Sequence, residues 1–124
     1  MVKSYSKGYR GERELLHKLA NMGYMTMRAP RSGRINLPVP DIVAAKDGRI
    51  IVIECKSRAA AFTVAPEQLA ELKAWEEKAR AAAYVGWKVA RKGWFFLRLA
   101  DVVANNGNVG KKFLAEKAIG IESL

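Results

Sequence analysis

The sequence predicts a mixed α/β fold in which a central β-sheet is flanked by helices. Three observations carry the prediction. The periodic segments run helix, three strands, helix, two strands. Asp47-Gly48 falls between two apolar runs, a strong signal for a two-residue hairpin. At 124 residues, 50% of them hydrophobic and 27% charged, the chain suits one domain with a sizeable core.

The first helix is expected over residues 8–22, where Leu15, Leu16 and Leu19 recur at helical spacing and Gly23 supplies the stop. Glu12 precedes those leucines by three, four and seven residues, so it projects from the same face. That is the wrong side for a solvated acid, although a first-turn carboxylate also suits the helix dipole. Residues 23–29 alternate weakly as a strand, and residues 30–40 form a loop with three prolines, one glycine and two arginines. Residues 41–46 and 49–56 are two strands joined at Asp47-Gly48. Pro66 opens a second helix, over about 66–80, with Leu69, Leu72 and Ala79 turned inward. Residues 81–89 and 94–99 read as another hairpin. Beyond residue 100 the pattern weakens to a helical turn at 101–104, a loop, and a short helix from Lys111.

The charge balance narrows the partner. Twenty-two Lys and Arg against 12 Asp and Glu give a net charge of +10, which favours a polyanion, nucleic acid first. No apolar run approaches the ~20 residues of a membrane span, and the N-terminal residues lack the apolar centre of a signal peptide. One cysteine excludes an internal disulfide and fits a reducing cytoplasm; one cysteine with one histidine supplies no zinc cluster. Cys55 suits a small buried hydrophobe and His17 a solvated helix position. Trp75, Trp87 and Trp94 suit core or interface better than base stacking.

The apolar run 37–58 holds two acids and a lysine that such a stretch would ordinarily exclude. With Asp47 and Gly48 as the loop, Lys46 pairs with Arg49, Ala45 with Ile50 and Val43 with Val52. Continuing that register sets Asp41 opposite Glu54, with Cβ atoms ~4.5–5.5 Å apart on one face. Lys56 joins them from two residues further on, while Cys55 faces the other way with Ile51 and Ile53. Two carboxylates so close repel unless a cation lies between them, and a hard divalent ion such as Mg²⁺ takes this kind of oxygen pair. Glu12 offers a third oxygen if the first helix packs beside the hairpin. The plainer reading of each acid is a surface partner for Lys56 or Arg58; the shared face and apolar neighbours count against it.

Pro40-Asp41 followed by Glu54-Cys55-Lys56 matches the PD-(D/E)xK nuclease signature. With Gly11-Glu12-Arg13 on the opening helix and Arg31-Ser32-Gly33 before the Pro-Asp, the chain resembles the archaeal Holliday junction resolvases, most strongly over residues 8–80. The resemblance implies a restriction-endonuclease-like fold for residues 1–124 as a single nuclease domain, with 100–124 a C-terminal dimerisation or packing tail. It implies a structure-selective endonuclease cutting four-way DNA junctions in recombination and repair, working with Mg²⁺ or with Mn²⁺ in its place. Asp41 and Glu54 would be metal ligands, with Glu12 a ligand directly or through water. Lys56 would orient the attacking water and stabilise the developing charge. Ser32 would contact the phosphate, and Gln68 has the position of a glutamine found near such sites. A homodimer and other recombination proteins are implied as partners. Lys3, Lys7, Arg10, Arg13, Arg28, Arg31, Arg34 and Arg58 bracket the acids and are expected to grip the phosphate backbone. The alternatives are a related nuclease acting on duplex or otherwise branched DNA, and a basic nucleic-acid-binding module without catalysis.

Overall fold

The computed structural model describes residues 2–29 and 37–124, with residues 2–9 by backbone alone. Helix α1 (Val2–Asn21) is followed by strands β1 (Met25–Arg28), β2 (Ile42–Lys46), β3 (Arg49–Ser57) and the short β4 (Phe62–Thr63). Helix α2 (Pro66–Ala79) leads to β5 (Ala82–Val89) and β6 (Gly93–Arg98). Then come α3 (Leu99–Ala104), β7 (Asn108–Val109), α4 (Lys111–Lys117) and a 3₁₀ turn, Ile121–Ser123.

Five strands form one sheet in the order β1-β2-β3-β5-β6, and β4 pairs with β7 in a separate two-stranded ladder. Only β3 and β5 run parallel, because α2 carries the chain back to the starting edge between them; the other pairs are antiparallel. The sheet is therefore mixed and lies between helices, as the element order predicts.

Each of these elements has a local cause. Helix α1 begins six residues before the expected start, no proline interrupting that stretch, and ends at Gly23, whose φ of 95° lets the chain turn off. The Lys46 ammonium caps that end by donating to the Met22 carbonyl at 2.7 Å. Asp47 and Gly48 have φ of 53° and 77°, the left-handed pair of a type I′ turn, and Lys46 faces Arg49 across it. Helix α2 starts on Pro66 and stops at Arg80 in left-handed geometry.

Alternation along β3 divides the interior in two. Ile51 and Ile53 join Leu15, Leu19, Ile42, Phe96 and Leu124 on the α1 side. Val52 joins Leu72, Val85, Trp87, Leu97 and Val102 on the α2 side. Gly86 sits where the strands leave no room: a Cβ there would lie 3.1 Å from Ile53 and 3.2 Å from Phe96.

Residues beyond 98 pack back onto this sheet. Leu99, Val102 and Val109 complete the α2-side core, and Leu124 reaches the α1-side core. The Val64 amide donates to the Gly107 carbonyl at 2.8 Å, tying the start of α2 to the turn before β7.

Candidate active site

The Asp41 carboxylate is placed by the end of a ladder. Across the two-residue turn the rungs whose backbones exchange hydrogen bonds are Lys46–Arg49, Ala44–Ile51 and Ile42–Ile53. The next such rung would be Pro40–Cys55, but proline has no N–H to give, and β2 begins only at Ile42. Asp41 thus lies one residue outside the strand, a correction to the expected strand over 41–46. The Asp41 side chain accepts there instead of the Pro40 carbonyl: the Cys55 amide donates to Asp41 Oδ2 at 2.7 Å. On the other side the Ala29 amide donates to the Asp41 carbonyl at 2.9 Å. Two neighbouring strands therefore hold this residue.

Glu54 and Lys56 project from β3 on the face opposite Cys55, which packs with the α1-side core. Their side chains are only 13% and 12% exposed, and the Lys56 ammonium stands 3.8 Å from Glu54 Oε2. Gln68, in the first turn of α2, bridges them: Lys56 Nζ donates to Gln68 Oε1 at 3.1 Å, and Gln68 Nε2 donates to Glu54 Oε2 at 3.0 Å. Burial pushes the Glu54 carboxyl up from 4.5 to about 8. The Asp41 charge adds to the rise, the Lys56 ammonium opposes it, and a hydrogen bond to the Asp41 side chain and the Glu12 charge raise it further. The register inferred from the sequence thus has its expected consequence, two carboxyls in contact on one patch.

Glu12 extends the Leu15–Leu19 face of α1 and is 4% exposed. Its charge reaches Glu54 as the smallest of the effects just named. Among the described residues no three His, Cys, Asp or Glu side chains converge into a group able to hold a metal ion. The structure thus joins Asp41, Glu54, Lys56 and Gln68 closely, with Glu12 outside a three-acid cluster. The pair still suits a divalent cation: both groups are oxygen donors, burial and the neighbouring Asp41 charge hold the Glu54 carboxyl well above its ordinary range, and a cation would relieve the cost of a second buried negative charge.

Arg28 ends β1, half-buried and cross-strand from Ile42. Arg10 and Arg13 are exposed on α1, and Arg58 is exposed just past β3. Ser32, Arg31 and Arg34 lie outside the described residues, as do the side chains of Lys3 and Lys7. Trp75 and Trp87 donate indole hydrogen bonds to the Pro38 and Arg58 carbonyls, both at 2.9 Å. Trp94 stacks on Phe96 with ring centroids 6.2 Å apart. His17 is exposed.

A mixed sheet between helices, with an acid ahead of one strand and Glu-x-Lys at the end of its hairpin partner, defines the restriction-endonuclease-like, PD-(D/E)xK class. The solved structure of Archaeoglobus fulgidus Hjc, a Holliday junction resolvase from an archaeal hyperthermophile, matches with a TM-score of 0.83 at 26% identity, covering 94% of this chain and 98% of that one. The family model of archaeal Holliday junction resolvase (Hjc) matches residues 3–124, and the chain belongs to that family. Two relatives named crossover junction endodeoxyribonuclease Hjc are each 36% identical. That of Sulfolobus acidocaldarius aligns over 100 residues, 78% of this chain and 69% of the relative. That of Archaeoglobus fulgidus aligns over 92 residues, 73% and 68%.

Proposed function

We propose that this chain is a metal-dependent endodeoxyribonuclease that resolves four-way DNA junctions by paired, symmetric phosphodiester cuts. Family membership supports the substrate. The observation that carries the chemistry is the Asp41–Glu54 pair, in which burial and mutual repulsion push Glu54 to about 8 beside Lys56. Asp41 and Glu54 would hold Mg²⁺, or Mn²⁺ in its place, with Glu12 reaching it through water. Bound there, the ion would polarise the scissile phosphate and acidify a water molecule.

The chain's own groups then have separable tasks. The Cys55 amide fixes Asp41 at the mouth of the site. Lys56 presents a buried ammonium that stabilises the negative charge growing on the phosphate in the transition state. Ser32 contacts that phosphate, by resemblance to the family. Arg10, Arg13, Arg28 and Arg58, with Lys7, Arg31 and Arg34, grip the backbones on either side. A four-way junction presents little base sequence, so shape and phosphate contacts decide recognition. Two symmetric cuts call for two sites, which a two-fold homodimer supplies. We place this single nuclease domain in the cytoplasm with the DNA, where other recombination proteins meet it; among the described residues no helix is long and apolar enough to cross a membrane.

The test is incubation with Mg²⁺ and a four-way junction beside a linear duplex built from the same arms. Paired nicks on the junction alone are expected. Equal cutting of both substrates would replace this reading with a general duplex nuclease, and binding without cutting would replace it with a non-catalytic module.

A further inference from the structure

The amide of Gln68 touches both Glu54 and Lys56 from outside their strand. Its orientation is fixed by chemistry. An ammonium has only protons to give, so Lys56 must face the amide oxygen, and the amide nitrogen is thereby turned to Glu54 Oε2, which accepts from it. The bonds of 3.1 and 3.0 Å are both well formed, whereas the direct Lys56–Glu54 approach is 3.8 Å.

We propose that Gln68 is a positioning residue that keeps Lys56 from closing onto Glu54 as an ion pair. The inference rests on the metal-dependent reading above. One ammonium proton is spent on the amide, leaving two for phosphate. One lone pair of Glu54 accepts from the amide, leaving the rest of the carboxylate for a cation. Remove the bridge, and nothing holds the Lys56 ammonium off the Glu54 oxygen 3.8 Å away, so the gap closes as the carboxyl gives up its proton, the buried attraction then being strong. Lys56 would then occupy oxygen that a metal ion needs, and would itself be drawn off the phosphate.

The helix is built to hold the amide still. Gln68 lies two residues after Pro66, and Leu72, one turn on, is buried in the α2-side core. The Val64–Gly107 hydrogen bond clamps the residues just before the helix. No other side chain of this size meets both demands. A glutamate would face Glu54 with like charge, a lysine would face Lys56, and a methionine fills the volume with neither bond.

The test uses Gln68→Met and Gln68→Glu in the full chain, with three readouts. These are Mn²⁺ affinity by calorimetry without DNA, single-turnover cleavage at saturating junction, and junction Kd in EDTA. Gln68→Met should weaken Mn²⁺ binding and slow cleavage, each by ~10–100-fold, while the unfolding midpoint and junction Kd hold. Gln68→Glu, which keeps the acceptor for Lys56 but adds charge beside Glu54, should be no faster than Gln68→Met. Wild-type Mn²⁺ affinity in Gln68→Met would overturn the proposal, as would a rate loss matched by loss of junction binding. Weakened Mn²⁺ binding in a protein whose wild type cuts no DNA would uphold the bridge and overturn the nuclease reading.

Discussion

Replacing Glu54 by glutamine should make the metal-free protein more stable in alkali, and the size of the effect follows from the site. Burial and the charge of Asp41 move the Glu54 carboxyl from 4.5 to about 8. Between those values the folded chain keeps a proton that the unfolded chain has released. Stability from this group is therefore complete below 4.5 and is lost as pH rises to about 8. The slope is about 1.4 kcal/mol per pH unit for one group, so the full interval amounts to at most about 5 kcal/mol. Glu54 is 13% exposed, so solvent screens little of this. An amide imitates the protonated carboxyl: its oxygen still accepts from Gln68, its nitrogen still donates towards Asp41, and nothing titrates. Lys56 loses an attractive partner, which reduces the gain above pH 8 to about 3 kcal/mol.

Urea unfolding followed by tryptophan fluorescence, at about pH 5, 7 and 9 in EDTA and at fixed protein concentration, measures this. Wild type should lose stability across the series, while Glu54→Gln stays nearly level and exceeds it at the alkaline end. Adding Mg²⁺ should restore wild type at about pH 9 and leave the variant unchanged, since an ion that binds only the folded state shifts the equilibrium towards it. A variant with the wild-type slope, or a wild type indifferent to Mg²⁺ in alkali, would refute the charge argument.

Asp41→Asn keeps an oxygen for the Cys55 amide and removes a charge that raises Glu54, so its unfolding midpoint in EDTA should be no lower than wild type's while junction cleavage falls by more than about 100-fold, read by gel assay. Arg10→Ala and Arg13→Ala, both at exposed positions, should weaken junction binding and each lower the slope of log Kd against log salt by about 1, measured by anisotropy titration. Gly107→Ala should cost at least about 2 kcal/mol in urea unfolding, because φ is +82° there and the new Cβ would lie 2.5 Å from the Val64 carbonyl oxygen.

The sequence exposes the fold where turn chemistry and alternation agree. Asp47-Gly48 fixes the hairpin, the hairpin fixes the register, and the register places Glu54 and Lys56 on one face and Cys55 on the other. Helices α1 and α2 follow from leucine spacing and from their Gly and Pro punctuation. The β4–β7 ladder does not follow from such signals. Two-residue strands have no period, and this ladder is held by tertiary bonds: Thr63 Oγ1 donates to Asn108 Oδ1 at 2.9 Å, and Val64 to Gly107. Those partners are more than forty residues apart, beyond the reach of any local pattern. The same holds for residues 99–124, whose weak periodicity conceals side chains in both cores.

The site was legible for a different reason. Charges inside an apolar strand contradict the local pattern, and a chain tolerates such a contradiction where function requires it. Asp41 and Glu54 could be named because they break the rule; Gln68 breaks none, since a polar residue in the first turn of a helix is ordinary. Only the packed structure brings its amide between Lys56 and Glu54. The same distinction separates the two acids that touch from the one that stands back. Glu12 obeys a helical stripe that buries it, so spacing revealed its face, but its distance from the pair depends on how α1 docks against the sheet. That docking rests on Leu15 and Leu19 against Ile42, Ile51 and Ile53, an apolar contact that sets the depth of the carboxylate without contributing any polar group to the site.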